Sequence, residues 1–419
     1  MGVPKMPAHH KHRAKQQNAL GLIPVLLAVT PAFGCVFFEG LIGPLRAAGF
    51  KPILVSAPGE QLCRIAQAAG VEYAAIPMVR EISPLKDLLA LWRLCRLMCR
   101  AKPVIVDVGT PKAGLLGGVA ALFTGVPCRL YTLRGLRLET TNGWKRRLLT
   151  LTERISCACA HQVTCVSYSL RDRAIDLDLV AADKAVVLGH GSCGIDIERF
   201  SAKSRNTAKR RALANELKIC NGAPVIGFVG RLTRDKGISE LVEVFSQLYR
   251  KDARLRLLLV GDFEDGDPIP HAIRSQIEGH SGIIRTGFVP DTAPYYGLMD
   301  VFVFPSHREG FGEVSLEAQA SGIPVVTTTA TGAIDSVVDG VTGFLVPVGN
   351  SELLASRIDL LLSDSHLRAR MGRAGRIRVV QKFRREIVAN ALVQQYARIL
   401  KNARIDYLSA RTLEAKLEN

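Results

Sequence analysis

Residues 224–237, PVIGFVGRLTRDKG, place a short apolar run before a glycine and a cluster of charged residues. The run is rich in β-branched and aromatic residues, which is typical of a buried strand, and Gly230 ends it. Arg231 and Lys236 follow in the turn, before an apolar pattern that predicts a helix. The stretch therefore predicts a strand–turn–helix unit with two cations at the carboxyl end of its strand.

The same alternation of strand and helix extends in both directions along the 419 residues. Short apolar runs predict strands at 23–29, 52–56, 103–107, 128–132, 162–167 and 186–189, and again at 224–230, 254–260, 301–304, 323–327 and 343–346. Runs of this kind separated by helices indicate parallel strands that are buried on both faces. We therefore expect an α/β protein with two doubly wound, Rossmann-like domains that face a central cleft.

The polar stretch 201–210 interrupts the alternation near the middle of the chain. We expect a basic flexible N-terminus at 1–18, a first domain at 19–200 and a second domain at 201–385. Helices at 386–419 are expected to pack back toward the first domain. Residues 19–38 carry no charge and resemble a signal anchor, but two prolines and two glycines interrupt them. We interpret them as a buried strand, a turn, and a helix ending at Gly49.

The chain is strongly basic, with a formal net charge of +17. Residues 80–150 contain 13 Lys and Arg against 4 Asp and Glu, a local surplus of +9. Such a surplus favours an anionic partner, and the alternative is a solvated basic face. No zinc-finger, RNA-recognition or homeodomain signature accompanies it, so we expect no nucleic-acid partner. The ten cysteines form no Cys-x-x-Cys pair and mostly lie in apolar runs, which is typical of buried thiols in a reducing compartment.

One segment within the basic region predicts an amphipathic helix. Ser83-Pro84 is a helix start, and the following residues place a basic stripe beside an apolar face of Leu88, Leu89, Trp92, Cys95 and Cys99. One interpretation is an ordinary helix packed on the core. The other is attachment to an anionic membrane surface, which the wider basic surplus favours.

Residues 305–324, PSHREGFGEVSLEAQASGIP, join a glycine-containing loop to a short helix from Glu313 to about Ser321. Glu309 lies in the loop and Glu317 on the helix. The free N–H groups at the helix start favour an anion, and Arg231 and Lys236 supply two cations. Together they predict a clamp for a nucleotide sugar, with Glu309 on sugar hydroxyls and Glu317 on the ribose.

We expect neither a metal nor another cofactor at this clamp. Asp176 and Asp178 lie on a polar helix, and Asp265 and Asp267 lie in a proline-flanked loop that is typical of a solvated turn. The two cations already provide partners for a diphosphate. No P-loop and no dinucleotide-binding glycine motif follows the first predicted strand.

The Glu309-x7-Glu317 pair, FVGRLTRDKG at 228–237 and VDGVTGFLVP at 338–347 resemble glycosyltransferase family 4, whose fold is GT-B. The resemblance runs from about residue 22 to the end. Three N-terminal stretches resemble the bacterial members that build surface polysaccharides and O-antigens on a polyprenyl-diphosphate carrier: IPMVREISPLKDLLALWRL at 76–94, TPKAGLLGGVAA at 110–121 and CVSYSLRDR at 165–173.

The resemblance implies a retaining transferase that moves a hexosyl or N-acetylhexosaminyl group from a nucleotide sugar, with UDP favoured over GDP, to a polyprenyl-diphosphate-linked glycan. It implies that the second domain binds the donor and the first the acceptor. The implied catalytic residues are Glu309, Arg231 and Lys236. The implied donor site consists of Gly230, Arg231, Lys236, Glu309, Gly310, Phe311, Gly312 and Glu317.

The expected acceptor or phosphate side contains Gly34, Lys112 and Arg134. Arg134 stands where many members of the family have a histidine, and an arginine does not act as a base near neutral pH. This departure keeps open the alternative of a non-catalytic partner in a polysaccharide assembly complex. A nucleotide-sugar epimerase is a further alternative. We expect a cytoplasmic protein that associates peripherally with the inner membrane.

Overall fold

The computed structural model describes residues 22–79, 83–201, 208–403 and 405, and within them it has two parallel β-sheets. The first sheet has the order β3-β2-β1-β4-β5-β6-β7, with strands β1 (Ile23–Ala28), β2 (Phe50–Ser56), β3 (Glu72–Ala75), β4 (Ile105–Gly109), β5 (Cys128–Leu133), β6 (Gln162–Cys165) and β7 (Ala185–Val187). The second has the order β10-β9-β8-β11-β12-β13, with β8 (Val225–Val229), β9 (Arg256–Val260), β10 (Ile283–Arg285), β11 (Val301–Phe304), β12 (Val325–Thr328) and β13 (Gly343–Val346). The predicted pair of doubly wound domains is confirmed.

The helices of the first domain are α1 (Ile42–Ala47), α2 (Glu60–Ala69), α3 (Pro84–Ala101), α4 (Pro111–Phe123), α5 (Gly143–Cys159) and α6 (Tyr168–Asp176). Those that follow are α7 (Ala208–Glu216), α8 (Ile238–Tyr249), α9 (His271–Gly279), α10 (Ala293–Tyr296), α11 (Glu313–Ala320), α12 (Ala333–Ser336), α13 (Ser351–Ser363), α14 (Ser365–Lys382) and α15 (Arg385–Asn402). Short 3-10 helices lie at Ala32–Phe38, Arg137–Thr140 and Arg234–Lys236.

Strand β1 illustrates why the strands are apolar throughout. Leu27 packs in the cluster that contains α1, α2 and α15, whereas Leu26 packs in the cluster on the other face with α3, α4 and α5. Both residues are buried, because side chains alternate between two helix-covered faces. The run therefore has no polar alternation.

The order of strands indicates where ligand sites are expected in these two sheets. In each sheet the chain reverses its direction of travel between two central strands, β1 and β4 in the first sheet and β8 and β11 in the second. Ligands of doubly wound folds bind in the crevice at the carboxyl ends of such strands. The loops that follow these four strands are therefore expected to form the ligand sites.

Two chain crossings connect the domains side by side. The Ile195 amide donates to the Phe383 carbonyl at 2.7 Å, so the first crossing is paired with the return crossing before α15. Helix α15 then packs on the first domain, where the Tyr396 hydroxyl donates to Asp107 at 2.8 Å. The last described helix thus completes the core of the first domain.

Several expected elements differ from the structure. Strands β3 and β10 were not predicted, because β3 is a largely exposed edge strand and β10 has only three residues. The single helix expected before Gly49 is instead the 3-10 helix Ala32–Phe38 followed by α1. The break lies at Gly40, whose φ of +86° is not helical. Residues 1–18 and 406–419 lie outside the described residues.

Helix α3 begins at Pro84, as predicted, and only part of its predicted apolar face packs on the core, where Cys95 lies. Ala90, Leu94 and Met98 form the buried side. The exposed large apolar side chains include Leu88 (66% exposed) and Trp92 (54% exposed), together with Leu85 and Leu89. Helix α3 therefore packs on the core, as the first interpretation expects, and it also leaves several large apolar side chains exposed. Attachment of this exposed side to a membrane stays a prediction.

Among the residues that the structure describes, no helix combines the length and apolar character needed to cross a bilayer. The described part of the uncharged run 19–38 consists of β1 and the 3-10 helix Ala32–Phe38.

Candidate active site

The loops after β8 and β11 meet at the crossover point of the second sheet. The first carries Gly230, Arg231 and Lys236, and the second carries Glu309. The loop after β9 packs against the first by backbone contact, because a Cβ on Gly261 would lie 1.9 Å from the Gly230 carbonyl oxygen. Parallel strand pairing thus brings residues from three separate segments to one place.

Lys236 and Glu309 contact each other directly, and both are largely buried. The Ser306 hydroxyl also donates to Glu309 Oε1 at 2.9 Å, and the Glu309 amide donates to the Thr331 carbonyl at 2.9 Å. These bonds fix the backbone and the carboxylate of the loop. The structure therefore combines the predicted cation and the predicted carboxylate in one pair.

Arg231 also has a carboxylate partner, Glu264, which lies on the loop after β9. This glutamate was not among the predicted site residues. Its signal in the sequence is its position in an acidic loop that follows a strand next to β8.

Gly310, Phe311 and Gly312 lead from Glu309 into α11. A Cβ on Gly310 would lie 2.3 Å from the Arg134 carbonyl oxygen, so only glycine allows the two domains to approach here. The Phe311 ring is buried against Phe383, with 5.4 Å between ring centroids. The loop is therefore part of the contact between the domains.

The first residue of α11, Glu313, crosses the contact between the domains. It accepts from the Ser192 hydroxyl at 2.7 Å and from the Cys193 amide at 2.6 Å. Burial raises the pKa of the Glu313 carboxyl, and these hydrogen bonds oppose that shift. Residues 190–196 thus bind to the start of α11.

Glu317 lies one turn further along α11 and accepts from the Tyr296 hydroxyl at 2.8 Å. Burial raises the pKa of Glu317 to about 7, and the bond from Tyr296 lowers it in part. The tyrosine orients the carboxylate. Its predicted contact with a ribose stays a prediction.

The residues predicted for the acceptor side lie at the ends of β1, β4 and β5, but they have different partners. Gly34 is buried against Val29, and Lys112 pairs with Asp87 of α3 at 2.8 Å. Arg134 lies over the Phe37 ring at 4.2 Å from its centroid.

Arg134 and its surroundings form one wall of a small cavity. Arg134 Nη1 donates to Cys193 Sγ at 2.7 Å, while its Nε is buried and has no hydrogen-bond partner within the described part of the chain. Asp107 and Tyr396 line the same cavity. Among the three predicted acceptor-side residues, Arg134 is the one whose backbone touches the Glu309–Gly310 loop.

Arg308 is a further site residue that the sequence analysis missed. It donates to Asp235 at 2.7 Å and to Thr140 of the first domain at 2.7 Å. Burial would raise the pKa of Asp235, but Lys236, Thr233 and Arg308 together lower it. Arg308 thereby ties the backbone beside Lys236 to the opposite domain.

Other hydrogen bonds close the cleft around this loop. The Ser167 hydroxyl donates to the Gly310 carbonyl at 2.7 Å, and the Thr331 hydroxyl donates to Glu139 at 2.8 Å. The Ser169 hydroxyl contacts Asp335. These polar contacts join the two domains around the loop that carries Glu309.

The two Asp-x-Asp pairs have structural surroundings. Asp267 accepts from the Asp235 amide at 2.8 Å and so supports the turn that carries Lys236. Asp176 is exposed at the end of α6. In the described ranges, no group of three or more His, Cys, Asp or Glu side chains is placed to hold a metal ion.

Two family models match this chain. The model for glycosyl transferases group 1 matches residues 209–378, and the model for the glycosyl transferase 4-like domain matches residues 36–191. The two matches correspond to the second and first sheets.

Two characterised relatives illustrate the range of similarity. The capsular polysaccharide biosynthesis glycosyltransferase CapM of Staphylococcus aureus is 39% identical over 376 residues, which cover 90% of this chain and 97% of that protein. The UDP-Gal:alpha-D-GlcNAc-diphosphoundecaprenol alpha-1,3-galactosyltransferase of Escherichia coli is 26% identical over 297 residues, covering 69% and 74%.

Solved structures show the same fold. A glycosyltransferase from Rickettsia africae aligns with a TM-score of 0.74 at 22% identity, covering 91% of this chain and 99% of that one. Anabaena Alr3699/HepE in complex with UDP and glucose aligns with a TM-score of 0.74 at 20% identity, covering 90% and 99%.

Proposed function

This chain belongs to the GT-B glycosyltransferases of bacterial surface-polysaccharide synthesis, and on that premise we propose that it is a retaining enzyme with a lipid-linked acceptor. It moves a hexosyl or N-acetylhexosaminyl group from a nucleotide sugar to a polyprenyl-diphosphate-linked glycan. The observation that carries the proposal is the contact between Lys236 and Glu309, with Arg231 on the neighbouring loop. A sugar diphosphate offers phosphate oxygens for a cation and hydroxyl groups for a carboxylate, and this pair would supply both.

In this proposal Arg231 and Lys236 bind the donor diphosphate and stabilise the charge that develops as the bond to the sugar breaks. The N-terminal end of α11, after Gly312, adds N–H groups to the same anion. Glu309 accepts hydrogen bonds from sugar hydroxyls, and Glu317 from the ribose. A UDP-sugar is favoured, since Anabaena Alr3699/HepE, which has the same fold, binds UDP-glucose.

Arg134 takes the place of the family histidine at the contact between the domains. A guanidinium stays protonated near neutral pH, so it orients a hydroxyl or a phosphate and does not remove a proton. Its buried Nε has no hydrogen-bond partner among the described residues, and we propose that it donates to such a group.

The proposed acceptor is a diphosphate lipid, as in the name of the Escherichia coli relative. Helix α3 supports this choice, because Leu85, Leu88, Leu89 and Trp92 are exposed beside basic residues. Helix α5 adds exposed Trp144 next to three basic residues. Such a surface suits peripheral attachment to the anionic cytoplasmic face of the inner membrane.

A transfer assay tests the proposal. The protein is incubated with labelled UDP- and GDP-sugars, each with and without a synthetic polyprenyl-diphosphate-linked sugar. We expect a product only with the lipid, with the anomeric configuration of the donor retained in its NMR spectrum. A change in the donor sugar without lipid would indicate an epimerase. Nucleotide binding without any product would favour the non-catalytic partner.

A further inference from the structure

Each predicted or newly found cation at the proposed donor site is paired with a carboxylate. Arg231 pairs with Glu264, Lys236 with Glu309, and Arg308 with Asp235. A diphosphate that enters this site meets cations whose charge is already balanced. At least one pair must therefore separate before a cation binds phosphate at full strength.

The three pairs differ in how readily they separate. Asp235 is 7% exposed, so separating it from Arg308 would deprive a buried carboxylate of its guanidinium partner. Arg231 is 44% exposed and Glu264 25% exposed. Water solvates both groups of this pair once they separate, so its separation costs little.

The position of Glu264 makes it a competitor for the diphosphate. It lies on the loop after β9, which is joined to the Arg231 loop by the bond from the Leu232 amide to the Asp262 carbonyl at 2.8 Å. This bond keeps the carboxylate within reach of Arg231. Its negative charge would compete with a diphosphate for the same guanidinium.

We propose that Glu264 is an internal competitor that occupies Arg231 in the empty site, yields it to the donor diphosphate, and takes it back as the nucleotide product leaves. The inference rests on the proposed nucleotide-sugar site and adds a means of product release. It predicts that the protein binds a nucleoside diphosphate less tightly than it would if Glu264 were uncharged.

Glu264→Gln tests this directly by calorimetric titration with UDP, GDP and inorganic pyrophosphate. The amide keeps the shape of the side chain but removes the charge that competes with phosphate. We expect dissociation constants for UDP and pyrophosphate to fall about three- to ten-fold, and the increase in melting temperature caused by UDP to become larger. Unchanged or weaker binding would overturn the role of Glu264.

Two further variants distinguish competition at Arg231 from a general change of charge. Asp262→Asn removes an acid of the same loop that pairs with Arg285 at 2.8 Å, and we expect it to change UDP binding less than two-fold. In an Arg231→Ala background, Glu264→Gln is expected to have no effect, because the competition acts through Arg231. An equal gain from Asp262→Asn, or a full gain without Arg231, would contradict the proposal.

The result also separates this inference from the proposed function. If the wild-type protein binds UDP and Glu264→Gln does not raise that affinity, the result overturns only the competition. Wild-type and variant protein that bind none of the three probes would overturn the nucleotide-sugar site and the competition together.

Discussion

Glu309 gives the sharpest test of the site, because the structure predicts opposite effects of one substitution on turnover and on binding. Glu309→Gln keeps the size of the side chain and its bond from Ser306 but removes the charge beside Lys236. If the carboxylate holds sugar hydroxyls in the transition state, losing a charged hydrogen bond costs about 2–3 kcal/mol. That cost lowers kcat about 30- to 150-fold.

Nucleotide affinity is expected to change in the other direction. Lys236 is paired with Glu309 in the empty site, so the neutral amide leaves its ammonium group freer to bind phosphate. UDP binding should therefore be retained or become up to about three-fold tighter. A loss of turnover without a loss of nucleotide binding indicates an interaction specific to the transition state.

The assay measures initial rates with the nucleotide sugar that the wild-type protein uses best, and UDP affinity by calorimetry. Glu278→Gln is the matched control, because Glu278 belongs to an exposed pair with Arg274 on α9. We expect it to change neither quantity by more than about two-fold. Turnover of Glu309→Gln within three-fold of wild type would refute the assignment of Glu309.

Three further predictions concern metal, stability and membrane. Excess EDTA should leave turnover within about two-fold, since Arg231 and Lys236 balance the diphosphate; loss restored by Mn²⁺ would instead implicate Asp265 and Asp267. Burial raises the pKa of Glu153 to about 7. The free energy of unfolding should therefore fall by up to about 3 kcal/mol as the pH rises from about 4.5 through 7. Chemical denaturation of Glu153→Gln should show a flatter dependence on pH. The protein should sediment with anionic but not with neutral liposomes, and sedimentation should decrease near ~0.5 M salt. Trp92→Glu should weaken liposome binding. Ile377→Glu, at an exposed apolar position of the second domain, should not weaken it.

The sequence predicted the architecture well because the strands of a doubly wound sheet are continuous apolar runs. The core strand 301–304 has the predicted bounds, and most others differ by one or two residues. The edge strands β3 and β10 were missed because an edge strand needs less apolar surface. The loops after β8 and β11 were also accessible to prediction, since Arg231, Lys236 and Glu309 follow strands that the pattern identifies.

The contacts between distant segments were not predictable in the same way. Nothing in the spacing indicates that Arg308 reaches Thr140, or that Glu313 binds residues 192–193, because these contacts depend on the angle between two domains. The outward face of α3 was also ambiguous. An amphipathic pattern shows that a helix has an apolar face, but α3 buries Ala90, Leu94 and Met98 while Leu88 and Trp92 remain outside.

The loop that carries Glu309, the proposed donor contact, also contacts the first domain, and this arrangement has a mechanistic consequence. Glu309 is followed by Gly310, whose carbonyl accepts from Ser167 of the first domain, and preceded by Arg308, which binds Thr140. Opening the cleft would break these bonds and release the backbone on both sides of Glu309. Lys236 lies next to Asp235, the other partner of Arg308. Contacts from the first domain therefore orient both the carboxylate and the cation, so we expect the proposed donor site to be complete only when the first domain is in place.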